Sequence, residues 1–326
     1  MNSMHRYRMF VWVFALALFA GSVQAQGYPN RPIRLIVADA AGGAPDQLAR
    51  LVAQKASESL GQQVIVDNRA GAGGALGAEL AAKSPADGYT LLVTTTAIYA
   101  ILPNLRKDVP YDPVRDFTPV GRIATASNVL VINGTLPVRD VAELVRYAKE
   151  RPGTLNYASA GVGTPAHLAG EMLNLLGDIK VIHVPYKGAA PGLLDVIAGN
   201  AQYIITSPIA AGAHMSAGRV RAIATTGTER NPALPDLPTV ADTLPGYEIT
   251  QSWGIVAPAG TPADIVRRLS DEFGKALANA DVRERILKTG AVPASNDSPT
   301  AFTAFMAKER ARLGDVITRS KIELKE

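Results

Sequence analysis

Apolar positions along the chain alternate between two periods. Ile33–Val37, Val64–Asp67 and Tyr89–Thr94, the last behind an Asp87-Gly88 turn, are short β-branched runs that read as strands. Between them, Asp46–Leu60 sets Leu48, Leu51, Val52 and Leu60 on one helical stripe, and Ala75–Lys83 reads as a second helix. Strand, helix, strand, helix, strand is the pattern of a parallel sheet covered by helices. A Pro-punctuated stretch from Pro103 to Pro119 interrupts it, and the pattern then restarts. Strands are expected at Val120–Thr125, Asn128–Asn133, Asn156–Ser159, Val181–Val184, Tyr203–Thr206 and Arg221–Thr225. The helices among them are Val138–Glu150, Pro165–Leu176 and Pro191–Ala198. A second irregular stretch, Asn231–Gly246, precedes a strand at Trp253–Ala257, where Trp253 reads as core, and the chain ends in helices at Pro262–Asn279, Asp281–Thr289 and Ser298–Ile317. Two α/β units interrupted twice suggest a hinged pair of lobes, residues 26–125 with 250–326 and residues 126–249.

The extreme N-terminus breaks this pattern. His5, Arg6 and Arg8 precede an apolar run, Met9–Ala20, of 12 residues, short of the roughly 20 that span a bilayer. Val23 and Ala25 supply the small residues of a signal-peptidase site, so residues 1–25 read as a signal peptide cleaved before Gln26, and the chain as exported to the periplasm. About 300 residues then remain, more than one core usually sustains. Removing Arg6 and Arg8 from 33 basic residues leaves 31 against 29 acidic ones, close to balance. With aromatics at 6% and no basic block, a nucleic-acid surface finds no support. Cysteine is absent, which excludes disulfides, thiolate metal sites and a lipid-modified N-terminal Cys.

Candidate chemistry lies in the loops where strands hand over to helices, the places at which open α/β sheets bind ligands. Ala38-Asp39-Ala40-Ala41-Gly42-Gly43-Ala44-Pro45-Asp46 feeds one helix, with Asp46 at the expected cap position. Ser159-Ala160-Gly161-Val162-Gly163-Thr164-Pro165 feeds another. Helix N-termini present unpartnered N–H groups and favour anions, so a carboxylate spanning both is the ligand these loops suggest. Gly43 is the residue most expected to lie close to ligand or to adopt a left-handed backbone. A third loop, Gly71-Ala72-Gly73-Gly74-Ala75-Leu76-Gly77, has Leu76 where a dinucleotide fingerprint needs glycine, and its expected role is tight packing of the next helix. A hydrolase is the alternative function, but Tyr157-Ala158-Ser159-Ala160-Gly161 lacks the glycine two residues before a nucleophile-elbow serine. His167 reads as a cap-region or cleft-lining residue, His183 as packed and His214 as lying on a helix surface; none has metal spacing. No cofactor is called for.

From these motifs onward the chain resembles the Bug family, the solute receptors related to tripartite tricarboxylate transporters. The resemblance opens at Tyr28-Pro29-Asn30-Arg31-Pro32-Ile33-Arg34-Leu35-Ile36-Val37 with Gly42-Gly43 and Asp46. It continues through Asp67-Asn68-Arg69-Ala70-Gly71, Asp87-Gly88-Tyr89-Thr90, Tyr111-Asp112-Pro113, Asp116-Phe117-Thr118-Pro119 and Val184-Pro185-Tyr186-Lys187-Gly188. Gly218-Arg219-Val220-Arg221-Ala222, Leu237-Pro238-Thr239-Val240, Trp253-Gly254 and Ala257-Pro258-Ala259-Gly260-Thr261-Pro262 complete it. It implies a type II periplasmic-binding-protein fold, two α/β lobes on a double-crossover hinge that close as a Venus flytrap. The implied ligand is a small carboxylate or related aromatic or amide acid, passed as a monomeric receptor to a tripartite tricarboxylate-type permease without chemistry. Loop reading and resemblance together place Asp39, Gly42, Gly43, Ala44, Asp46, Thr94 and Thr95 on one side of the cleft. Ser159, Gly161, Gly163, Thr164, His167, Tyr186, Lys187, Gly188 and Thr206 fall on the other. Two positions depart from the family pattern: Asp39 stands where an aromatic residue is usual and Thr206 where Asp is frequent, so the ligand is expected to carry an amine, amide or hydroxyl near Asp39.

Overall fold

The computed structural model describes residues 27–231, 234–295 and 298–320; residues 1–25 and Gln26, with the expected signal peptide and its cleavage point, lie outside them. The first half runs β1 (Ile33–Val37), α1 (Ala44–Leu60), β2 (Val64–Asn68), α2 (Ala75–Ala82), β3 (Thr90–Thr95), α3 (Leu102–Leu105) and β4 (Phe117–Ser127). The second runs β5 (Val129–Asn133), α4 (Val141–Lys149), β6 (Asn156–Ser159), α5 (Pro165–Gly177), β7 (Ile182–Pro185), α6 (Ala189–Ala198), β8 (Tyr203–Thr206), α7 (Pro208–Ser216) and β9 (Val220–Thr225). The chain then returns through β10 (Thr250–Pro258), α8 (Ala263–Ala278), α9 (Ala280–Lys288), β11 (Val292–Pro293) and α10 (Pro299–Ser320).

Two sheets result, one of six strands in the order β11-β4-β10-β3-β1-β2 and one of five in the order β7-β6-β8-β5-β9. The expected parallel unit is present: β1 lies between β2 and β3, parallel to both, with Leu35 opposite Val66 and Leu91. Ile33, Leu35, Ile36 and Val37 are all buried, as a central strand covered on both faces must be. Beyond that unit both sheets are mixed. β10 runs antiparallel to β3 and β4, and β5 runs antiparallel to β8 and β9. Trp253 is buried in β10, in the core cluster of the first sheet.

Three helices share one opening device. Thr164 and Ser207, in extended backbone, cap α5 and α7 with their hydroxyls, and Gly43 holds the same place ahead of α1. A proline follows in the first turn of each, its φ already helical. The α1 N-cap is thus Gly43, and Asp46, expected at the cap, sits inside the first turn. Strand β11 and the π-helical turn Ala97–Ile101 have no counterpart in the sequence reading, and α7 is foreshadowed only by the expectation that His214 lies on a helix surface.

The two sheets are joined by neighbouring crossings. Asn128 links β4 to β5, and Ile249 leads into β10, whose Thr250 pairs with Ser127. Thr226 ties both together: its hydroxyl accepts the Asn128 amide at 2.8 Å, its N–H donates to Asn128 O at 2.9 Å, and its carbonyl accepts the Ile249 amide at 3.0 Å. The Gln251 side-chain amide adds a bond to Asn128 Oδ1.

Candidate functional site

The loop before α1 is locked from within. Asp39 Oδ1 accepts its neighbour Ala40's amide at 2.8 Å, Gly42 donates to Asp46 Oδ2 at 2.9 Å, and Gly43 donates to Ala40 O at 3.2 Å. Asn68 Nδ2 holds the loop to β2 through Asp39 O at 3.1 Å. Gly42, with φ +83°, is the left-handed residue, whereas Gly43 has φ −70°. The left-handed backbone expected as one possibility for Gly43 falls instead on Gly42, and a Cβ at Gly43 would stand 2.7 Å from Asp39 Oδ2 and 3.2 Å from Ala40 O. Among the described residues the Ala41 and Ala44 amides keep no partner in this loop, which leaves two donors for a ligand. Burial would raise the Asp46 carboxyl, but Arg50 at 2.9 Å, the Gly42 amide and Asn68 carry it below the usual carboxylate range. Asp39 goes the other way, pushed up to about 7 by burial and by the charge on Asp46, against the Ala40 amide.

The loop before α5 is equally self-contained. Ser159 is fully buried; its Oγ accepts the Gly161 amide at 3.1 Å and lies 2.6 Å from His183 Nε2. Thr164 Oγ1 donates to Gly161 O at 2.7 Å and accepts the His167 amide at 3.3 Å, so in this conformation its hydroxyl serves the helix cap. Gly163 donates to His167 Nδ1 at 3.2 Å, which assigns the ring proton to Nε2. His167 stacks on His183 at 4.2 Å, His183 on Tyr157 at 4.9 Å, and Tyr157 on Tyr203 at 5.6 Å. Burial lowers His167 to about 4, and burial together with His167 lowers His183 to about 3. Both rings are therefore neutral while folded, whereas an unfolded histidine titrates near 6.5. Below that pH the unfolded chain takes up protons that the folded one refuses, and stability falls as pH drops. The cost approaches about 1.4 kcal/mol per pH unit for buried His167 and less for half-buried His183. Thermal unfolding between pH 7 and 4.5 should show a shallower slope for His167→Gln than for wild type; equal slopes would remove the stacked pair as the cause.

The remaining expected residues divide. Tyr186 donates its hydroxyl to Asp195 Oδ2, within its own half, and Lys187 is exposed. Gly188 is buried at φ +139°, and Thr206 is buried at the end of β8 opposite Val129. Thr94 and Thr95 close β3 against Gly254 and Trp253, and Thr95 Oγ1 accepts the Ile98 amide at 3.4 Å.

What the structure brings together is a seam of small residues across the two halves. A Cβ at Gly188 would run into Asp39 Oδ1 and come 2.7 Å from Ala40 Cβ; one at Gly42 would lie 3.9 Å from Ala190 Cβ. A Cβ at Gly161 would sit 3.5 Å from Gly73 N, one at Gly73 would collide with Val162 O, and one at Gly163 with the Leu102 side chain. Gln47 Nε2 bridges the halves to Ile209 O at 3.4 Å. Asp39, half-buried, thus faces Gly188 rather than open solvent. The third glycine loop has two roles: Gly77 lets α2 pack on β1, since its Cβ would lie 2.6 Å from Ala38 Cβ, while Gly73 faces the opposite half. Gly73, Leu102, Val162 and Ala190 are the seam residues that sequence reasoning missed. The run of four closely spaced glycines at 71–77 was the available signal, longer than one helix start requires.

This arrangement has clear relatives. The family model described as tripartite tricarboxylate transporter family receptor matches residues 48–322. A UPF0065 protein from the tcbD-tcbE intergenic region of Pseudomonas sp. strain P51 is 39% identical over 94% of this chain and 93% of its own. Protein BugT of Bordetella pertussis is 34% identical over 95% and 96%. Among solved structures, the periplasmic binding protein BugD superposes with TM-score 0.88 at 31% identity, covering 91% of this chain and 100% of its own. An R. palustris protein solved with adipate gives 0.87 at 36% identity over 91% and 99%. MatC of Rhodopseudomonas palustris, with bound malate, gives 0.85 at 31% over 89% and 100%. The two-lobe α/β periplasmic-binding fold expected from the sequence is the fold found, and the chain belongs to the Bug-type family of tripartite tricarboxylate transporter receptors.

Proposed function

We propose that this chain is a periplasmic receptor that captures a small carboxylate between its lobes, delivers it to a tripartite tricarboxylate-type permease, and does no chemistry on it. A solute-binding role follows from its family. The observation that carries the finer reading is the seam. Helix-opening loops meet in two pairs across the halves, Asp39–Gly42 against Gly188–Ala190 and Gly73 against Gly161–Gly163, as a ligand gripped from both sides requires. Relatives solved with adipate and malate support the carboxylate class and helix N-termini favour anions. On this reading residues 26–125 with 250–326 form one lobe and residues 126–249 the other, with the Thr226–Asn128 crossing as hinge. Export follows from the signal peptide proposed at residues 1–25.

One contact favours the hydrolase alternative, the 2.6 Å approach of Ser159 Oγ to His183 Nε2. Ser159 is fully buried and its hydroxyl closes its own loop. An imidazole held near 3 is also a poor base at neutral pH. Thermal shift across mono-, di- and tricarboxylates and aromatic acids tests the proposal: ligand at 100 times its Kd should add about 2.7 kcal/mol. Small-angle scattering should show compaction. Tight binding without compaction removes the flytrap, and product released from esters, lost in Ser159→Ala, removes the receptor reading.

A further inference from the structure

Asp39 is an acid placed where the two halves meet, and the protein supplies no cation for it. Oδ1 accepts the Ala40 amide at 2.8 Å; Oδ2 accepts no hydrogen bond from any described residue. The elements around it bring no positive charge. Its own loop contributes Asp46, which is already paired with Arg50 at 2.9 Å. The facing segment contributes Gly188 and Ala190, while Tyr186 is turned to Asp195 and Lys187 is exposed and makes no ion pair among the described residues. No described basic side chain enters the forces that act on Asp39. Closing the seam therefore desolvates a carboxylate with only one hydrogen bond in return, which is costly unless something else pairs with it. The unpartnered Ala41 and Ala44 amides, on the same loop, are anion donors.

Resting on the carboxylate-capture reading, we infer that the ligand is an amino-carboxylate: its carboxylate meets the loop amides and its protonated amine pairs with Asp39 Oδ2. An ammonium satisfies both needs of Asp39, a donor for Oδ2 and a counter-charge that permits closure over it; a hydroxyl satisfies only the first. The carboxyl's shift up to about 7, caused first by burial, agrees with a lone charge that is unfavourable there.

The experiment uses matched pairs that differ by one ammonium: succinate with L-aspartate, glutarate with L-glutamate, butyrate with 4-aminobutyrate, and 3-phenylpropionate with L-phenylalanine. Calorimetry at pH 6 and pH 8 on wild type and Asp39→Asn gives affinities. Asn preserves shape and can still accept the Ala40 amide, and circular dichroism confirms the fold. At pH 8 the ammonium-bearing member of at least one pair should bind wild type ten-fold or more tighter than its partner. That preference should shrink about ten-fold in Asp39→Asn and be smaller at pH 6, where protonation neutralises Asp39. If plain carboxylates bind wild type as well as or better than their amino partners, the inference falls and carboxylate capture stands. Plain carboxylates that tighten towards pH 6 in wild type alone would mean that Asp39 donates a proton to ligand, which also overturns it. If neither member of any pair binds either protein, the carboxylate reading falls and takes the inference with it.

Discussion

A protein carrying Gly73→Ala is expected to lose about a hundred-fold in ligand affinity while unfolding within a few degrees of wild type. Gly73 sits at φ +65° and ψ 17°, where alanine is strained but still found, at a cost of about 1–2 kcal/mol. The larger effect comes from space. A Cβ there collides with the carbonyl oxygen of Val162, a backbone atom that cannot swing aside like the tip of a long side chain. The seam must then open, and ligand held by the first lobe loses the partners that closure supplies. A hundred-fold loss corresponds to about 2.8 kcal/mol, one or two charge-assisted hydrogen bonds. Gly77→Ala is the contrasting substitution. Its Cβ would meet Ala38 within a lobe, so it should lower the melting temperature without a selective effect on closure. Scattering that showed Gly73→Ala compacting with ligand as wild type does, at unchanged affinity, would mean that the glycine seam is not the gripping surface.

The second large effect concerns the empty protein. Asp39→Asn should melt higher than wild type at pH 8, and the gap should close as the pH falls. The sign follows from the direction of the shift. An acid ionises near 3.9 in the unfolded chain, whereas burial moves Asp39 up to about 7. Above pH 7 both forms are ionised and the folded one bears the full cost of the buried charge. Between 7 and 4 the folded state takes up its proton and the cost recedes; below 4 it is gone. Three pH units at about 1.4 kcal/mol each set a ceiling near 4 kcal/mol. Partial exposure brings the expected gain to about 1–3 kcal/mol, or several degrees. Equal melting temperatures at pH 8 would show that Asp39 is well solvated in the empty protein.

Most of the fold lay in local patterns. The β1–α1–β2–α2–β3 unit is legible because central strands such as Ile33–Val37 are apolar at every position but Arg34 and α1 carries a clean stripe. The bounds of α7, touched only by the placing of His214 on a helix surface, escaped because its nine residues are too few, with Ala210-Ala211-Gly212-Ala213 at their centre, to show a period. Its start was still written in the sequence, since Ser207-Pro208 repeats the Thr164-Pro165 device that marked α5. The mixed sheets were not legible, since β10 joins β3 and β4 from far along the chain and no local signal states the direction of a distant pairing. The site divides in the same way. Strand-to-helix glycines announced Gly42, Gly161 and Gly163, but Gly73 opposite Val162 and Asp39 opposite Gly188 are contacts between halves, and periodicity within either half cannot report them.

The seam also offers a latch. A Cβ at Gly42 would lie 3.9 Å from that of Ala190, inside the separation that a sulfur–sulfur bridge spans, and the chain contains no cysteine of its own. A pair of thiols at these two positions would have no competing partner, so an oxidant could staple the cleft shut and a reductant release it. The cleft's state would then be set by electrons instead of ligand, and the closed form could be isolated as a species before any ligand is known.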